Sequence, residues 1–431
     1  MLKILFSLLL FIIQLYSQSL SSDDNYKVYS SKNYNIIFTQ DHKKEALFIK
    51  ENLDQFLKVN DKSFGYSFDQ AIRIVLISNN IQVPNAFSTQ VPYNLGVYYN
   101  GGAGMNDYFA TSSWLETLLT HEMVHNYHTN AKKSQISKTL HKYLGNNYMP
   151  VWAVVPLFTL PNILLPTPLL EGNSVLNESL YNNGGRLYSG IANGMKNTLI
   201  FNDKINPTTF INDHLEFPYT TEKYIVGGFY MKYLAEIYGV DRVNSFFYTH
   251  SEHSINPLLL NDSFKKHFNI EFDKSVENFV KYTKDRYSSF DELSPTKPLV
   301  VSKDEIYLNK IGDQIYFIST NLKTKKELNI YDIATKKMIV KDTTLNNGKV
   351  FKIEGKLYTT SSDFISSTLY KHALFDKGNY PLENTIGKDI KDISIDGKLA
   401  YVDIDSSFLE TKLFINKDFV TIQHLKNQLF F

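Results

Sequence analysis

The sequence predicts a mixed α+β domain that is followed by an all-β region. Residues 20–110 alternate strand-like and helix-like segments, and residues 111–292 are dominated by apolar side chains at helical spacing. After Pro295 the chain changes to short segments rich in β-branched and aromatic residues, separated by turn residues, which is typical of strands. We therefore expect an N-terminal sheet part at 20–110, a helical part at 111–292 and a β-rich region at 296–431.

Composition excludes several classes of protein. Hydrophobic residues make up 43% of the 431 residues, which is enough for sizeable cores. The 45 Lys and Arg balance the 44 Asp and Glu, so a net charge of +1 gives no electrostatic case for a nucleic-acid partner. The chain has no cysteine, which excludes disulfides and thiolate chemistry. Any bound metal must be held by His, Asp or Glu.

The first 19 residues have the layout of a secretory signal peptide. Lys3 supplies the positive charge, residues 4–16 are almost wholly apolar, and the small residues Ser17 and Ser19 follow. A membrane anchor is the alternative, but the apolar run is shorter than the roughly 20 residues that a spanning helix needs. The sequence thus predicts export to the periplasm, the cell surface or the medium.

Four segments before residue 100 predict the sheet part. The patterns indicate a strand at 34–39, a helix at 43–57 and a buried strand at 71–78. Residues 94–99 (NLGVYY) indicate a shorter strand, which we place at the edge of the sheet.

A capped helix is predicted next. Ser113 and Glu116 have the spacing of a capping box, so a helix should begin after Ser113 and extend to about His128. Its spacing places four side chains on one face: Trp114, Leu118, His121 and His125.

The remaining helical part contains one unusual segment. Residues 143–170 carry no charge and include five prolines, which argue against one continuous helix. We expect a buried irregular segment there, with contact to a membrane surface or an envelope partner as the alternative. Further helices are predicted at 224–238, ending before Gly239, and at 276–287, with Ser275 as its N-cap.

The β-rich region predicts repeated small sheets. Turns such as YDIATKK between two strands suggest blades of a propeller, and the region would hold about three blades of 40–45 residues. A closed propeller needs typically four to eight. The region is therefore a small sandwich or a partial propeller, unless the chain continues beyond Phe431.

The predicted capped helix carries the motif His121-Glu122-Met123-Val124-His125. Two histidines four residues apart lie one above the other on a helix, so both imidazoles can reach one zinc ion. Glu122 would lie near the open metal position, where it can take a proton from water. The alternative is a pair of surface histidines with no metal.

Zinc needs a third protein ligand. His128 lies only seven residues after His121, and the metzincin pattern, with its third histidine ten residues after the first, is missing. Glu171, in the segment PTPLLEGNSVLNES, is the better candidate, since a carboxylate at the beginning of a second helix can complete a His₂Glu site.

These two motifs together carry a family resemblance. HEMVH followed by LLEGNSVLNE resembles the gluzincin metallopeptidases, the aminopeptidase/thermolysin-like group. Their second motif commonly reads Glu-Gly-x-Ala-x-x-x-Glu. Glu171, Gly172 and Glu178 match it, whereas Ser174 replaces the usual Ala. The resemblance implies a zincin-like fold with Glu171 as zinc ligand, although the 46-residue spacing from His125 is longer than in the compact members.

The resemblance also gives roles to the flanking segments. Tyr224 and Gly227 match a Tyr-x-x-Gly helix start, with Tyr219 five residues earlier, and the family implies that Tyr224 donates to the oxyanion. The alternative for Tyr224 is a core role, in a chain with 29 tyrosines.

Two further segments bear on substrate binding. NLGVYY resembles the edge strand that binds extended peptides by β-augmentation. The aminopeptidase signature Gly-x-Met-Glu-Asn is missing, since Asn106 follows Met105 directly, so aminopeptidase specificity is not supported. The β-rich region is similar to propeller-type repeats fused to gluzincin-like domains.

Three functional hypotheses follow. The leading one is an exported zinc peptidase acting on peptides or proteins, with one zinc ion on His121, His125 and Glu171, and with Glu122 and Tyr224 as catalytic residues. The second is an inactive peptidase-like scaffold that binds partners through its β-rich region, but the intact Glu122 favours activity. The third, an envelope assembly component, would be favoured by a closed propeller with a charged channel.

Overall fold

A computed structural model of the chain shows a mixed α/β region followed by an all-β region of several sheets. It describes residues 25–67, 70–89, 94–144, 162–212, 221–253, 259–288, 297–302, 304–321, 325–394, 396–416 and 418–423. The predicted signal peptide, residues 145–161 of the charge-free segment and Tyr219 lie outside these residues.

A five-stranded mixed sheet forms the N-terminal layer. Its strand order is β1-β2-β3-β5-β4; β2, β3 and β5 are mutually parallel, and the two outer strands are antiparallel to their neighbours. The strands are β1 (Lys27–Ser30), β2 (Tyr34–Phe38), β3 (Ile72–Leu76), β4 (Ala86–Thr89) and β5 (Leu95–Tyr98). The strands predicted at 34–39 and 71–78 are confirmed, each with shorter bounds.

The strand predicted at 94–99 is confirmed as β5, but its predicted position at the edge of the sheet is wrong. β5 pairs with β3 on one side and with β4 on the other, so the edge of the sheet is β4. A strand that is hydrogen-bonded on both sides is buried, and Val97 and Tyr98 of β5 are at most 1% exposed. The sequence did not reveal β4 because Ala86–Thr89 is short and has no run of β-branched residues.

Helix α1 (Lys43–Phe64) crosses this sheet and is longer than the predicted 43–57. Its last turns are held by tertiary contacts: Phe64 stacks on Tyr127 with ring centroids 4.7 Å apart, and Ser63 donates to Asp241. The helix ends at Gly65, whose φ of +79° favours glycine.

Helices dominate the next part of the chain. They are α2 (Asn106–Phe109), α3 (Trp114–Asn130), α4 (Gln135–Leu144), α5 (Thr167–Glu178), α6 (Gly190–Phe201), α7 (Pro207–Ile211), α8 (Glu222–Tyr238), α9 (Val240–His250), α10 (Leu260–Phe268) and α11 (Phe272–Arg286). The helices predicted at 114–128 and 224–238 are confirmed as α3 and α8, and Gly239 does follow α8 with a φ of +84°. No helix of the described residues is both long and apolar enough to span a bilayer.

Helix α11 begins four residues before the predicted start, so Ser275 is not its N-cap. Phe272 and Val276, one turn apart, are both buried, and packing of this pair extends the helix toward the N-terminus. Ser275 instead exchanges a hydrogen bond with the Tyr230 hydroxyl at 2.8 Å inside the core.

The β-rich region contains three sheets, each an antiparallel meander in chain order. The first is β6 (Asn309–Ile311), β7 (Gln314–Thr320), β8 (Lys326–Asp332) and β9 (Lys337–Asp342). The second is β10 (Val350–Ile353), β11 (Lys356–Ser366) and β12 (Leu369–Phe375). The third is β13 (Lys388–Ile393), β14 (Leu399–Asp403), β15 (Lys412–Ile415) and β16 (Asp418–Thr421). In the part of the chain that is described, they close into neither a barrel nor a propeller.

One loop of the third sheet enters the helical region. Phe408 and Leu409 lie between β14 and β15. They belong to the main hydrophobic core, together with side chains of the N-terminal five-stranded sheet and of the helices. The Phe408 carbonyl accepts a hydrogen bond from the backbone N–H of Leu115 at 2.9 Å. The Thr411 hydroxyl donates to the Ser112 carbonyl at 2.7 Å. The β-rich region is thus anchored at the beginning of α3, the helix that carries the paired histidines.

Candidate metal centre

Helix α3 begins where the sequence predicts, and its first turn is capped. The Ser113 side chain accepts from the backbone N–H of Glu116 at 3.3 Å, while the N–H of Leu115 is satisfied by Phe408. The Asn183 side chain accepts from the backbone N–H of Ser113 at 2.8 Å. Three parts of the chain therefore fix the beginning of this helix and, with it, the direction in which its histidines point.

The structure brings His121, His125 and Glu171 together. The Nε2 atoms of the two histidines lie 3.3 Å apart, and the Oε2 atom of Glu171 lies 3.1 Å from His121 Nε2 and 3.0 Å from His125 Nε2. These three are the one group of metal-ligating side chains that converges in the described residues. Helix α3 provides the histidines, and the first half of α5 provides the carboxylate.

The spacing of these atoms fits zinc. Ligand atoms about 2.0–2.1 Å from a tetrahedral zinc ion lie about 3.3 Å from one another. The observed triangle has sides of 3.0, 3.1 and 3.3 Å, so one ion would fit without a large movement of any side chain. Two imidazole nitrogens and one carboxylate oxygen are also a donor set that zinc prefers.

The electrostatics indicate a site made for a cation. Burial opposes a charge on His121, but hydrogen bonds to Glu171 and Glu178 outweigh this and raise the pKa of His121 to about 9. Burial also opposes the charge on Glu171, but His121 and His125 hold the pKa of that carboxyl well below its usual range. Without a metal, a proton on His121 balances the two carboxylates; a metal ion would take over that role.

Behind His121 lies a buried carboxylate. Glu178, whose side chain is fully buried, accepts from the Nδ1 atom of His121 at 3.1 Å. This contact fixes the tautomer that leaves Nε2 free to bind a metal. Arg186 donates to both oxygens of Glu178, from Nε at 2.8 Å and from an Nη at 2.7 Å. Despite burial, Arg186 lowers the pKa of Glu178 to about 2, so the carboxylate stays charged.

Tyr224 reaches the site because two helices cross at a pair of glycines. A Cβ on Gly172 of α5 would lie 2.3 Å from the backbone of Gly227 of α8, and a Cβ on Gly227 would lie 2.2 Å from the Pro168 carbonyl oxygen. The close approach explains why the two motifs each contain glycine. Tyr224 lies one turn before Gly227, and its ring centroid is 5.9 Å from that of His121. The Arg186 guanidinium lies 4.7 Å from the centroid of the Tyr224 ring.

The hydroxyl of Tyr224 remains protonated at neutral pH. Burial raises the pKa of Tyr224 well above its ordinary value, and the charge of Glu171 and a hydrogen bond to it raise it further. A protonated phenol beside a metal site is a hydrogen-bond donor.

The metal site opens into a cleft of about 590 Å³. Glu122 lines this cleft beside His121 and is 7% exposed. The edge strand β4 borders the cleft through Ala86, and the neighbouring Pro84 and Asn85 extend that border. The β-rich region contributes three further lining residues, which are Glu305, Tyr307 and Lys391.

His128 is not part of the metal site. It is fully buried, and its Nε2 atom donates to the Asn173 side-chain oxygen at 2.8 Å. Burial holds the pKa of His128 well below its ordinary value, so the ring is neutral. Asn173 in turn donates to Asn244 at 2.7 Å, which joins α5 to α9 behind the site. His128 therefore helps to hold helices α3 and α5 together.

Two parts of the site, Arg186 and the residues that the β-rich region contributes to the cleft, were not predicted from the sequence. A signal for Arg186 existed, since a buried Glu178 behind a ligand needs a cation, and Arg186 is eight residues further along the chain. No local signal marks Glu305, Tyr307 or Lys391, because they reach the cleft only through the packing of the β-rich region.

Comparisons with protein-family models and with curated proteins find no match to this chain.

Proposed function

We propose that this chain is a zinc-dependent peptidase of the gluzincin type, with a zincin-like fold. The observation that carries the proposal is the convergence of three donor atoms to within 3.3 Å of one another, with Glu122 in the adjoining cleft. A zinc ion held by His121, His125 and Glu171 would supply Lewis-acid chemistry, acidifying a water molecule and polarising the scissile carbonyl.

Two side chains would carry the proton and charge transfers. Glu122 would take a proton from the attacking water and deliver it to the leaving amine, because it lies in the cleft beside the ligands and is not itself one of them. Tyr224 would donate a hydrogen bond to the negative charge that develops on the carbonyl oxygen. Glu178 and Arg186 would hold the His121 ring in place.

The substrate would bind as an extended chain along β4. This strand is an outermost strand of the five-stranded sheet, and its beginning borders the cleft. An edge strand offers unpaired backbone N–H and C=O groups, which an extended peptide can pair with. The role that the sequence assigned to residues 94–99 thus passes to Ala86–Thr89.

The β-rich region supports the same proposal as one wall of the cleft, and we interpret its three meanders as part of a propeller. A closed propeller with a charged channel would have favoured the envelope-component hypothesis, and the described residues form none. An inactive scaffold would not need a proton acceptor at position 122, but Glu122 is present and lines the cleft.

The test compares two carboxylates on one helix. Zinc-loaded parent protein, Glu122→Gln and Glu116→Gln are incubated with a fluorescein-labelled unfolded protein. We expect the first substitution to slow cleavage by about 10²–10⁴-fold with zinc retained, because it removes the proton acceptor alone. Glu116→Gln, the same change six residues earlier on α3, should cleave at the parental rate. Equal rates for Glu122→Gln and the parent, or no cleavage by the parent, would contradict the proposal.

A further inference from the structure

The wall of the cleft that the β-rich region provides has an unbalanced charge. Lys391 lies 3.1 Å from Asp107 and 3.0 Å from Asp389, so two carboxylates already share this lysine. Arg186 is fully occupied by Glu178. Glu305 has no cationic partner among the described residues, and its one hydrogen bond comes from the Tyr307 hydroxyl at 2.8 Å.

Glu305 lies beside two aromatic rings. Tyr307 and Tyr108 line the same cleft, one from each side of the junction between the β-rich and helical regions. Burial raises the pKa of Tyr108, and the nearby charge of Glu305 raises it further, which agrees with a carboxylate close to both rings. Tyr307 remains 45% exposed, so its ring is open to a ligand.

A carboxylate near two tyrosines in one cleft has the chemistry of a cation-binding subsite. The carboxylate attracts an ammonium or guanidinium group, and the ring faces add cation–π attraction. Because Glu305 is exposed, it keeps most of its hydration and a ligand must displace little structure to reach it. The discrimination expected from one such pair is modest, about fivefold.

We propose that Glu305, Tyr307 and Tyr108 form a subsite that selects substrates with a positively charged group. This inference rests on the proposed peptidase function and adds its substrate class. The charged group is a lysine or arginine side chain or the N-terminal ammonium of the peptide, since both present the same chemistry to Glu305.

The test uses a defined library of short peptides, in a free form and an N-acetylated form, with cleavage read by mass spectrometry. The full zinc-loaded chain is compared with Glu305→Gln and with Glu383→Gln, an exposed carboxylate of the β-rich region outside the cleft. We expect the parent chain to cleave peptides with lysine or arginine at one fixed position more often than peptides with methionine there. The ratio of these two cleaved amounts is the measured preference. Glu305→Gln should lower that ratio about fivefold, and Glu383→Gln should keep it. Faster cleavage of the free form than of the N-acetylated form, lost in Glu305→Gln, would instead identify the N-terminal ammonium as the charged group.

A binding measurement separates this inference from catalysis. The best cleaved peptide is titrated into zinc-loaded Glu122→Gln and into Glu122→Gln/Glu305→Gln, whose zinc contents confirm that both are folded. The second protein should bind about fivefold more weakly. Cleavage without any preference for cationic peptides, or a preference that Glu305→Gln leaves unchanged, would overturn the subsite and leave the peptidase proposal standing. No cleavage of any peptide would overturn both.

Discussion

The helical region and the β-rich region are built in different ways. Helices α3, α5, α8 and α9 share one large core with the first sheet, and the metal site lies on the helices that cross within that core. The β-rich region instead has small cores that join neighbouring meanders, such as the one that contains Leu328 of β8 and Val350 of β10. A large shared core can hold donor atoms in place to within a fraction of an ångström. Small cores are enough for a cleft wall that contacts the substrate but holds no metal ligand.

The largest expected effect tests the point where the two regions meet. Phe408 is fully buried in the main core although it belongs to the β-rich region. We expect Phe408→Ala to lower the free energy of unfolding by about 3–5 kcal/mol. Phe419, a strand residue that is 54% exposed, should cost less than about 0.5 kcal/mol in the same substitution. Denaturant unfolding of both variants measures the difference. Similar costs would mean that the β-rich region does not share the core of the helical region.

Within the helical region, Tyr224→Phe tests the cleft side of the metal site. Removal of the hydroxyl should lower kcat about 100-fold with little change in KM, because the hydrogen bond to the oxyanion forms only in the transition state. Tyr233→Phe, a matched change on the outer part of α8, should leave kcat unchanged. Steady-state kinetics on one cleaved peptide gives both numbers, and a change confined to KM would assign Tyr224 to substrate binding instead.

The buried side of the metal site is tested by Glu178→Gln. The amide keeps the shape but loses the charge that holds the His121 ring and balances Arg186. We expect zinc affinity to fall about 10–100-fold. Competition with a zinc-binding dye measures it, with Glu277→Gln on the exposed face of α11 as the control. Unchanged affinity would show that the His121 tautomer is fixed without Glu178.

A change of one pH unit has the smallest expected effect. In the metal-free protein the pKa of His121 is raised to about 9, above its ordinary value, so its proton stabilises the fold at low pH and is lost as the pH rises through about 9. Zinc must displace that proton. The affinity for zinc should therefore rise about tenfold for each pH unit from 7 and level off near pH 9. A flat dependence over this range would mean that no proton leaves His121 on binding.

The two regions also differ in how much of their structure could be predicted from the sequence. His121, Glu122 and His125 lie on one helical turn, so their spacing alone places them together, and Glu171 is found by a motif of eight residues. Strands β2, β3 and β5 follow from their sequence patterns, and α3 follows from periodicity and a capping serine. The edge strand β4, the beginning of α11 and the wall around Glu305 depend on tertiary contacts between segments far apart in the chain. No local pattern records such contacts.

The zinc content of purified protein tests the central claim most directly. Metal analysis of the parent chain is compared with that of His121→Ala, Glu171→Ala and the control His128→Asn, in which a buried histidine outside the donor set is changed. We expect about one zinc per chain in the parent, none in the first two variants and retention in His128→Asn wherever that variant is folded. A parent chain that binds no zinc after incubation with the metal would contradict the metal centre and, with it, the proposed peptidase.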